Sequence, residues 1–287
     1  MKIIYKLLFL FLLTIGYSSC DFLDIVPDEI TTEADAFKDR NAAKNFVYSC
    51  YGYLPQSNVA SGSLDLLTGD EVITAFEHET FASFPKGNYT ASSPVISYWN
   101  TFFQGLRQCY IFLENVDKVP DLTESVKTDY IAQVKFLIAY YHYQLARCYG
   151  PIILIKELPD VNASQAEYLP RTSYDECVDW ICNLLDEAAS SLPAIRTNKE
   201  DYGLATSVGA KAVKAKMLLY AASPLFNGNS SFYSNFTDKS GSQLMPLTYD
   251  PNKWVKAKTA IKEAIDLAEQ NGHALYVKQD YKIGNED

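Results

Sequence analysis

Histidine is scarce. His78, His142 and His273 are the whole supply in 287 residues, and no HExxH or other helical ligand pair is formed by them. Cysteine is no richer in pattern. With Cys20 set aside, Cys50, Cys109, Cys148, Cys177 and Cys182 remain. That is an odd set with no CxxC, which argues against a zinc site and against a full disulfide framework. Cys177 and Cys182 stand five apart on one helical pattern, a poor spacing for a bridge. Cys109, Cys148, Cys177 and Cys182 fall in helical patterns, and most read as small buried hydrophobes. Basic clusters are missing too. The net charge is −10, so nucleic acid is not a partner this chain is built for. No apolar run reaches the ~20 residues of a membrane-spanning helix. Nothing implies a cofactor.

What is present is apolar and aromatic. Hydrophobic residues make up 48% and aromatics 14% of the chain, ample for a large core and too apolar for disorder. Tyrosine is the most abundant aromatic, at 21 residues. Tyr suits surfaces that are half apolar and half hydrogen-bonding, such as ligand platforms; its plainer use is as an amphipathic packing residue.

The pattern centres on Thr123 to Pro151. Val126, Tyr130, Ile131, Val134, Leu137, Ile138, Tyr141, Leu145 and Cys148 recur at steps of three and four, one stripe of a helix. Phe136, Tyr140, Tyr143 and Tyr149 widen it until little of the second half is polar, so the helix is expected to be packed on most sides. Thr123 is placed to cap it through its hydroxyl, and Gly150-Pro151 stops it. Ile152 to Ile155 follows as a strand or a buried extended segment. His142 reads as a packed or hydrogen-bonded core residue.

Other helices fall on either side. Glu33 to Leu54 reads as one helix stopped by Pro55, and Ser97 to Lys118 as another. Ser173 with Glu176 is a capping box opening a helix that stops at Pro193. Further helices run from about Ala205 to Ala222 and from Asp250-Pro251 to Asn271-Gly272. They tend to come in pairs, although no clean period of about 34 residues survives. The fold class expected is all-α: a tetratricopeptide-like helical-repeat scaffold with long loops. With no terminal capping helix after Gly272, the chain reads as the front part of something longer.

The longest loop, Gln56 to Pro94, carries no helical period, and loops of that length are functional or mobile. Asp70-Glu71 and Glu77-His78-Glu79 lie in it. Solvated loop charge is the plain reading; a metal or acid–base site is the alternative.

The N-terminus is an address. Lys2 and Lys6 precede the apolar run Leu7 to Ile15, which fits the core of a secretory signal. Gly16-Tyr17-Ser18-Ser19-Cys20 resembles a bacterial lipobox, with Tyr17 where Leu is usual. The division is a signal peptide over 1–19, a lipidated tether over 20–32 and a helical domain over 33–287. Acylation at Cys20 with several chains gives stable anchoring, whereas one chain is marginal at about 0.8 kcal/mol per buried CH₂. An ordinary signal peptide is the alternative.

Several phrases in order resemble the SusD/RagB family of nutrient-binding outer-membrane lipoproteins. They are Cys20-Asp21-Phe22-Leu23-Asp24 after the leader, Trp99-Asn100 opening a helix, and Phe136-Leu137-Ile138-Ala139-Tyr140-Tyr141 running to Tyr149-Gly150-Pro151. Pro170-Arg171-Thr172-Ser173 before a helix ending Leu192-Pro193, and Lys214-Ala215-Lys216 through Ser223-Pro224, continue the match, and Trp254 with Ala257 completes it. The resemblance implies a surface lipoprotein anchored in the outer membrane by lipid. It would act as a hinged lid on a SusC-like TonB-dependent transporter, capture oligosaccharides and pass them on without chemistry. It also implies that a C-terminal part with further ligand contacts is absent here. Family members present ligand-facing aromatics from the loop before the Trp-bearing helix, here Glu71 to Tyr98. Phe76, Phe81, Phe84 and Tyr89 are then the expected sugar platform, with Asp70 or Asn88 hydrogen-bonding hydroxyls. The alternative is that these rings tuck the loop onto the helices. Trp99 and Trp254 are expected in the core. Two other functions stay in view: a surface scaffold gripping a protein partner, and a secreted helical hydrolase acting through loop carboxylates.

Overall fold

A computed structural model describes residues 33–55, 80–160, 162 and 169–276. The leader, Cys20 and the tether lie outside the described residues, as do Asp70, Glu71, Phe76 and the 77–79 cluster. Within them the chain is all-α, with two isolated bridges, Thr90 to Ser93 and Thr237 to Gln243.

The expected first helix is broken in two: α1 (Glu33–Ala36) and α2 (Arg40–Tyr51). The cause is Asp39. Its backbone is extended, at φ −154° and ψ 172°, and its carboxylate accepts the N–H groups of Asn41 and Ala42, both at 2.9 Å. An Asp that satisfies two free first-turn donors starts a helix rather than sitting inside one.

α3 (Trp99–Asn115) runs into a 3₁₀ turn, Val116–Lys118. The central helix, α4, spans Glu124–Tyr149. Thr123 takes the cap position with extended backbone, but its hydroxyl makes no capping hydrogen bond, a departure from the expectation. Gly150 ends α4 at φ 70°, where a side chain would be strained, and its N–H reaches the Ala146 carbonyl. Six successive residues, Tyr141 to Ala146, are buried. Burial all round one helix needs neighbours on every side, and α3, α5 and the segment after Pro151 supply them. Two members of the apolar stripe, Val126 and Cys148, stay exposed near its ends.

Ile152 to Ile155 is extended without a ladder. Its polar groups are satisfied one by one. Thr172 N–H donates to the Ile152 carbonyl at 2.7 Å. Ile155 N–H donates to His142 Nε2 at 3.1 Å, and Tyr110 OH to the Ile155 carbonyl at 2.6 Å.

α5 (Tyr174–Ser191) starts where the capping box was read, but the Ser173 hydroxyl makes no capping bond. Instead Tyr174 N–H donates to the Leu244 carbonyl at 2.8 Å, tying α5 to the loop after α6. α6 (Ser207–Ala222) is capped by Thr206, whose side chain accepts from Gly209 N–H at 3.1 Å. A short α7 (Ser230–Tyr233) interrupts the next loop, and α8 (Asn252–Gln270) follows.

Each long helix packs on the next: α3 on α4, α4 on α5, α5 on α6, α6 on α8. Ala215 of α6 meets Ala260 and Ala264 of α8, and these small side chains let the two backbones come close. Trp254, expected in the core, is 42% exposed, with Val255 at 62% beside it. No disulfide joins the five described cysteines, and only Cys148 among them is exposed.

Candidate functional site

α3 opens with Trp99, and the geometry around that ring builds a cleft. Tyr98 N–H donates to the Tyr149 hydroxyl at 3.0 Å, pinning the start of α3 to the end of α4. Trp99 then meets Tyr149 edge-on, with centroids 5.2 Å apart, and Phe103, one turn on, at 4.9 Å. Arg171 lies 5.5 Å from the Trp99 ring, a cation–π distance. The Arg171 guanidinium is held by donating to the Pro151 carbonyl at 2.7 Å.

The opposite wall is the extended chain after Pro151. Arg107 of α3 donates to the Pro159 carbonyl at 2.8 Å and sets the gap. Between them lies a cleft of about 910 Å³, lined by Trp99, Phe103, Arg107, residues 153–160, Leu169, Pro170 and Thr172. Its apolar faces come from Trp99, Phe103 and Leu158, and its polar groups from Arg107, Lys156 and Asp160. A volume of that order suits a small ligand.

The support beneath is neutral and closed. His142 is fully buried; burial lowers its pKa to about 4, against which the hydrogen bond to the Ile138 carbonyl acts. Nε2 accepts from Ile155, so Nδ1 carries the proton and donates to Ile138 at 2.8 Å. The Tyr110 hydroxyl is pushed up by burial and stays protonated as the donor to Ile155. Neither group is placed to do acid–base work in the cleft. No group of three His, Cys, Asp or Glu able to hold a metal ion occurs among the described residues, and no helix there is long and apolar enough to cross a membrane.

The loop residues named from sequence fall differently. Asp70 and Phe76 lie outside the described residues. Phe81 is in a 3₁₀ turn, Thr80–Ser83. Phe84 and Tyr89 come together with ring centroids 5.3 Å apart. Gly87, at φ 64°, turns the chain between them, and its N–H donates to the Phe84 carbonyl at 2.9 Å. Asn88 is exposed on that turn, its N–H bound to the Ser83 carbonyl at 2.9 Å, and Tyr89 is 51% exposed. The sequence reading missed the Trp99–Phe103 wall. The signal was present: two aromatics one turn apart at the start of a helix, with an Arg-bearing extended segment later in the chain.

Residues 21–219 match the SusD-like family described as "Starch-binding associating with outer membrane". The chain belongs to this family. It is similar to the SusD-like protein P25 of Formosa agariphila, 23% identical over 230 residues, which cover 76% of this chain and 43% of that protein. The solved structure of BT4246 is 36% identical and superposes with a TM-score of 0.75 over 82% of this chain and 40% of that one. A laminarin-binding SusD-like protein shares the fold, with a TM-score of 0.55 at 21% identity over 65% of this chain and 41% of that chain. The chain thus spans less than half the length of these relatives.

Proposed function

We propose that this chain is the glycan-capturing part of a cell-surface lipoprotein, anchored in the outer membrane at Cys20. It binds oligosaccharides and hands them to a SusC-like TonB-dependent transporter without breaking bonds. The observation that carries the reading is the aromatic wall of Trp99 and Phe103 along a cleft of about 910 Å³ in a chain of the starch-binding SusD-like family. A flat ring covers the C–H face of a pyranose while Arg107, Lys156 and Asp160 reach its hydroxyls. The laminarin-binding relative makes β-glucan a second probe beside starch. Tyr89, Phe84 and Asn88, with Phe76, Phe81 and Asp70, stand as a further contact from the loop.

Isothermal titration against a neutral-glycan panel including maltooligosaccharides and laminarin tests this. Loss of one stacking ring removes about 0.5–1.5 kcal/mol beyond its buried area. Phe103→Ala is therefore expected to weaken binding about tenfold with the fold retained, and Tyr89→Ala by less. Glycan recovered intact after incubation separates capture from hydrolysis. The exposed Trp254 and Val255 on α8 favour a second reading, a surface scaffold that grips a protein partner. A panel with no binder, together with a partner whose capture is lost in Trp254→Lys, would replace the first reading by the second.

A further inference from the structure

A second cleft, of about 730 Å³, opens at the other end of α4. Lys44 and Tyr48 of α2, Ser125 and Tyr130 of α4, Ser190 of α5 and Asp201 beyond it contribute to its lining. The Trp99 cleft lies against the C-terminal end of α4 through Tyr149. α4 has 26 residues, about 39 Å of helix, so most of that length separates the two clefts.

The floor of this second cleft is fixed and self-satisfied. Arg196 forks onto Asp129, with both N–O distances 2.9 Å, and also donates to the Ala205 carbonyl at 3.1 and 2.8 Å. Gln133 donates to Asp129 at 2.8 Å. Tyr51 OH donates to Gln133 at 3.0 Å and accepts from Ala205 N–H at 2.9 Å. The floor's charges answer one another and ask for no ligand charge.

What the cleft offers a ligand is its rim. Lys44 Nζ sits 5.5 Å from the Tyr48 ring, which is 37% exposed. Tyr130 is half-buried, and Ser125 and Ser190 are exposed. Lys44 and Arg196 share the lining with three carboxylates, Glu124, Asp129 and Asp201, so no positive excess draws an anion. An apolar segment laid here would strip water from the Lys44 ammonium, the carboxylates and the hydroxyls without replacing their hydrogen bonds. A neutral, hydroxyl-rich ligand avoids that cost, because its hydroxyls meet the rim's donors and acceptors while its C–H faces cover the two tyrosine rings.

We infer that this cleft, at the far end of α4 from Trp99, is a second binding site for a neutral oligosaccharide segment. It rests on the glycan-binding reading above. Two sites on one rigid helix let a single long glycan engage both, which raises retention without any new contact at either site.

Titration of the chain with the neutral-glycan panel, in short and long forms, decides it. For a short oligosaccharide the wild type should show two sites per chain, the Tyr48→Ala/Tyr130→Ala double variant should keep only the Trp99 site, and Phe103→Ala should weaken the Trp99 site about tenfold while leaving the other unchanged. For the parent polysaccharide the double variant should lose more than tenfold in apparent affinity. Circular dichroism and a urea midpoint confirm that each variant folds, and Tyr48→Phe/Tyr130→Phe, which keeps both rings, should keep the second site. One site in the wild type, weakened by Phe103→Ala and untouched by the tyrosine changes, overturns this inference and leaves the proposed function standing. No binding to any glycan overturns both. Wild-type glycan binding by the double variant with loss of transporter association would make the cleft a protein interface and end the inference.

Discussion

His142 stands inside α4, fully buried and with both ring nitrogens engaged. Protonating Nε2 would turn the acceptor for Ile155 N–H into a second donor facing it. Burial accordingly holds the folded-state pKa near 4, against 6.5 for the free side chain. The sign follows from which state takes the proton first. Between pH 6.5 and 4 the unfolded chain binds it and the folded chain does not, so stability is full above pH 6.5 and falls as pH drops through that window. The shift corresponds to about 3 kcal/mol at most. Urea midpoints from pH 7.5 to 4.5 should therefore show the advantage of wild type over His142→Gln shrinking as pH falls. A constant difference would refute the assignment. Gly228 is a residue-scale test of a different kind. It sits at φ 78°, and a Cβ there would lie 2.2 Å from the Tyr249 backbone nitrogen. Gly203, at φ 94°, has nothing within 4 Å of that position. Gly203→Ala should cost only the conformational penalty, about 1–2 kcal/mol, and Gly228→Ala clearly more, read as the difference in urea midpoint.

At the scale of elements, the Arg196–Asp129 pair locks the connection after α5 onto α4. The Arg196 side chain is 11% exposed, so removing it leaves a carboxylate partly buried without its charge partner. Arg196→Met should cost about 3 kcal/mol. Adding Asp129→Asn should recover part of that loss, because the orphaned charge goes with it; a double-mutant cycle that is purely additive would show the pair uncoupled. This pair was invisible in the sequence, since 67 residues separate its members. What was legible was periodic or local. The α4 stripe, the Gly150-Pro151 stop and the Asn271-Gly272 end of α8 each carry their own signal within a few turns. Local signals also misled where a better local competitor stood nearby. Asp39 split the first helix because a carboxylate at that place satisfies two donors at once. Thr123 and Ser173 took their cap positions without making the cap bonds, so the pattern marked the boundary and not the hydrogen bond. Trp99 packs against the core as expected, but an aromatic at the start of an apolar helix face looks the same whether its far side meets a helix or a cleft. Only the path of residues 153–160, set by Pro151 and the Tyr110 and His142 bonds, decides between them.

At the scale of the molecule, the helical stack holds two clefts at a fixed separation, and the proposed function requires that such a body be kept at a membrane surface. The net charge of −10 gives no electrostatic attraction to an anionic leaflet, so charge cannot hold the chain there. Lipid at Cys20 can. Each buried CH₂ contributes about 0.8 kcal/mol, so one acyl chain binds reversibly and two or three bind for long times. The tether 20–32 would then set how far the domain stands from the lipid. Fractionation of cells carrying the full-length protein checks this directly. Wild type should partition with the outer membrane and be degraded by protease added to intact cells. Cys20→Ala should appear either in the soluble fraction or as a heavier precursor that keeps its leader. A Cys20→Ala protein of mature mass that stays in the outer membrane as wild type does would mean that protein contacts, and not acyl chains, retain it. The exposed Trp254 and Val255 of α8 would then be the first place to look for them.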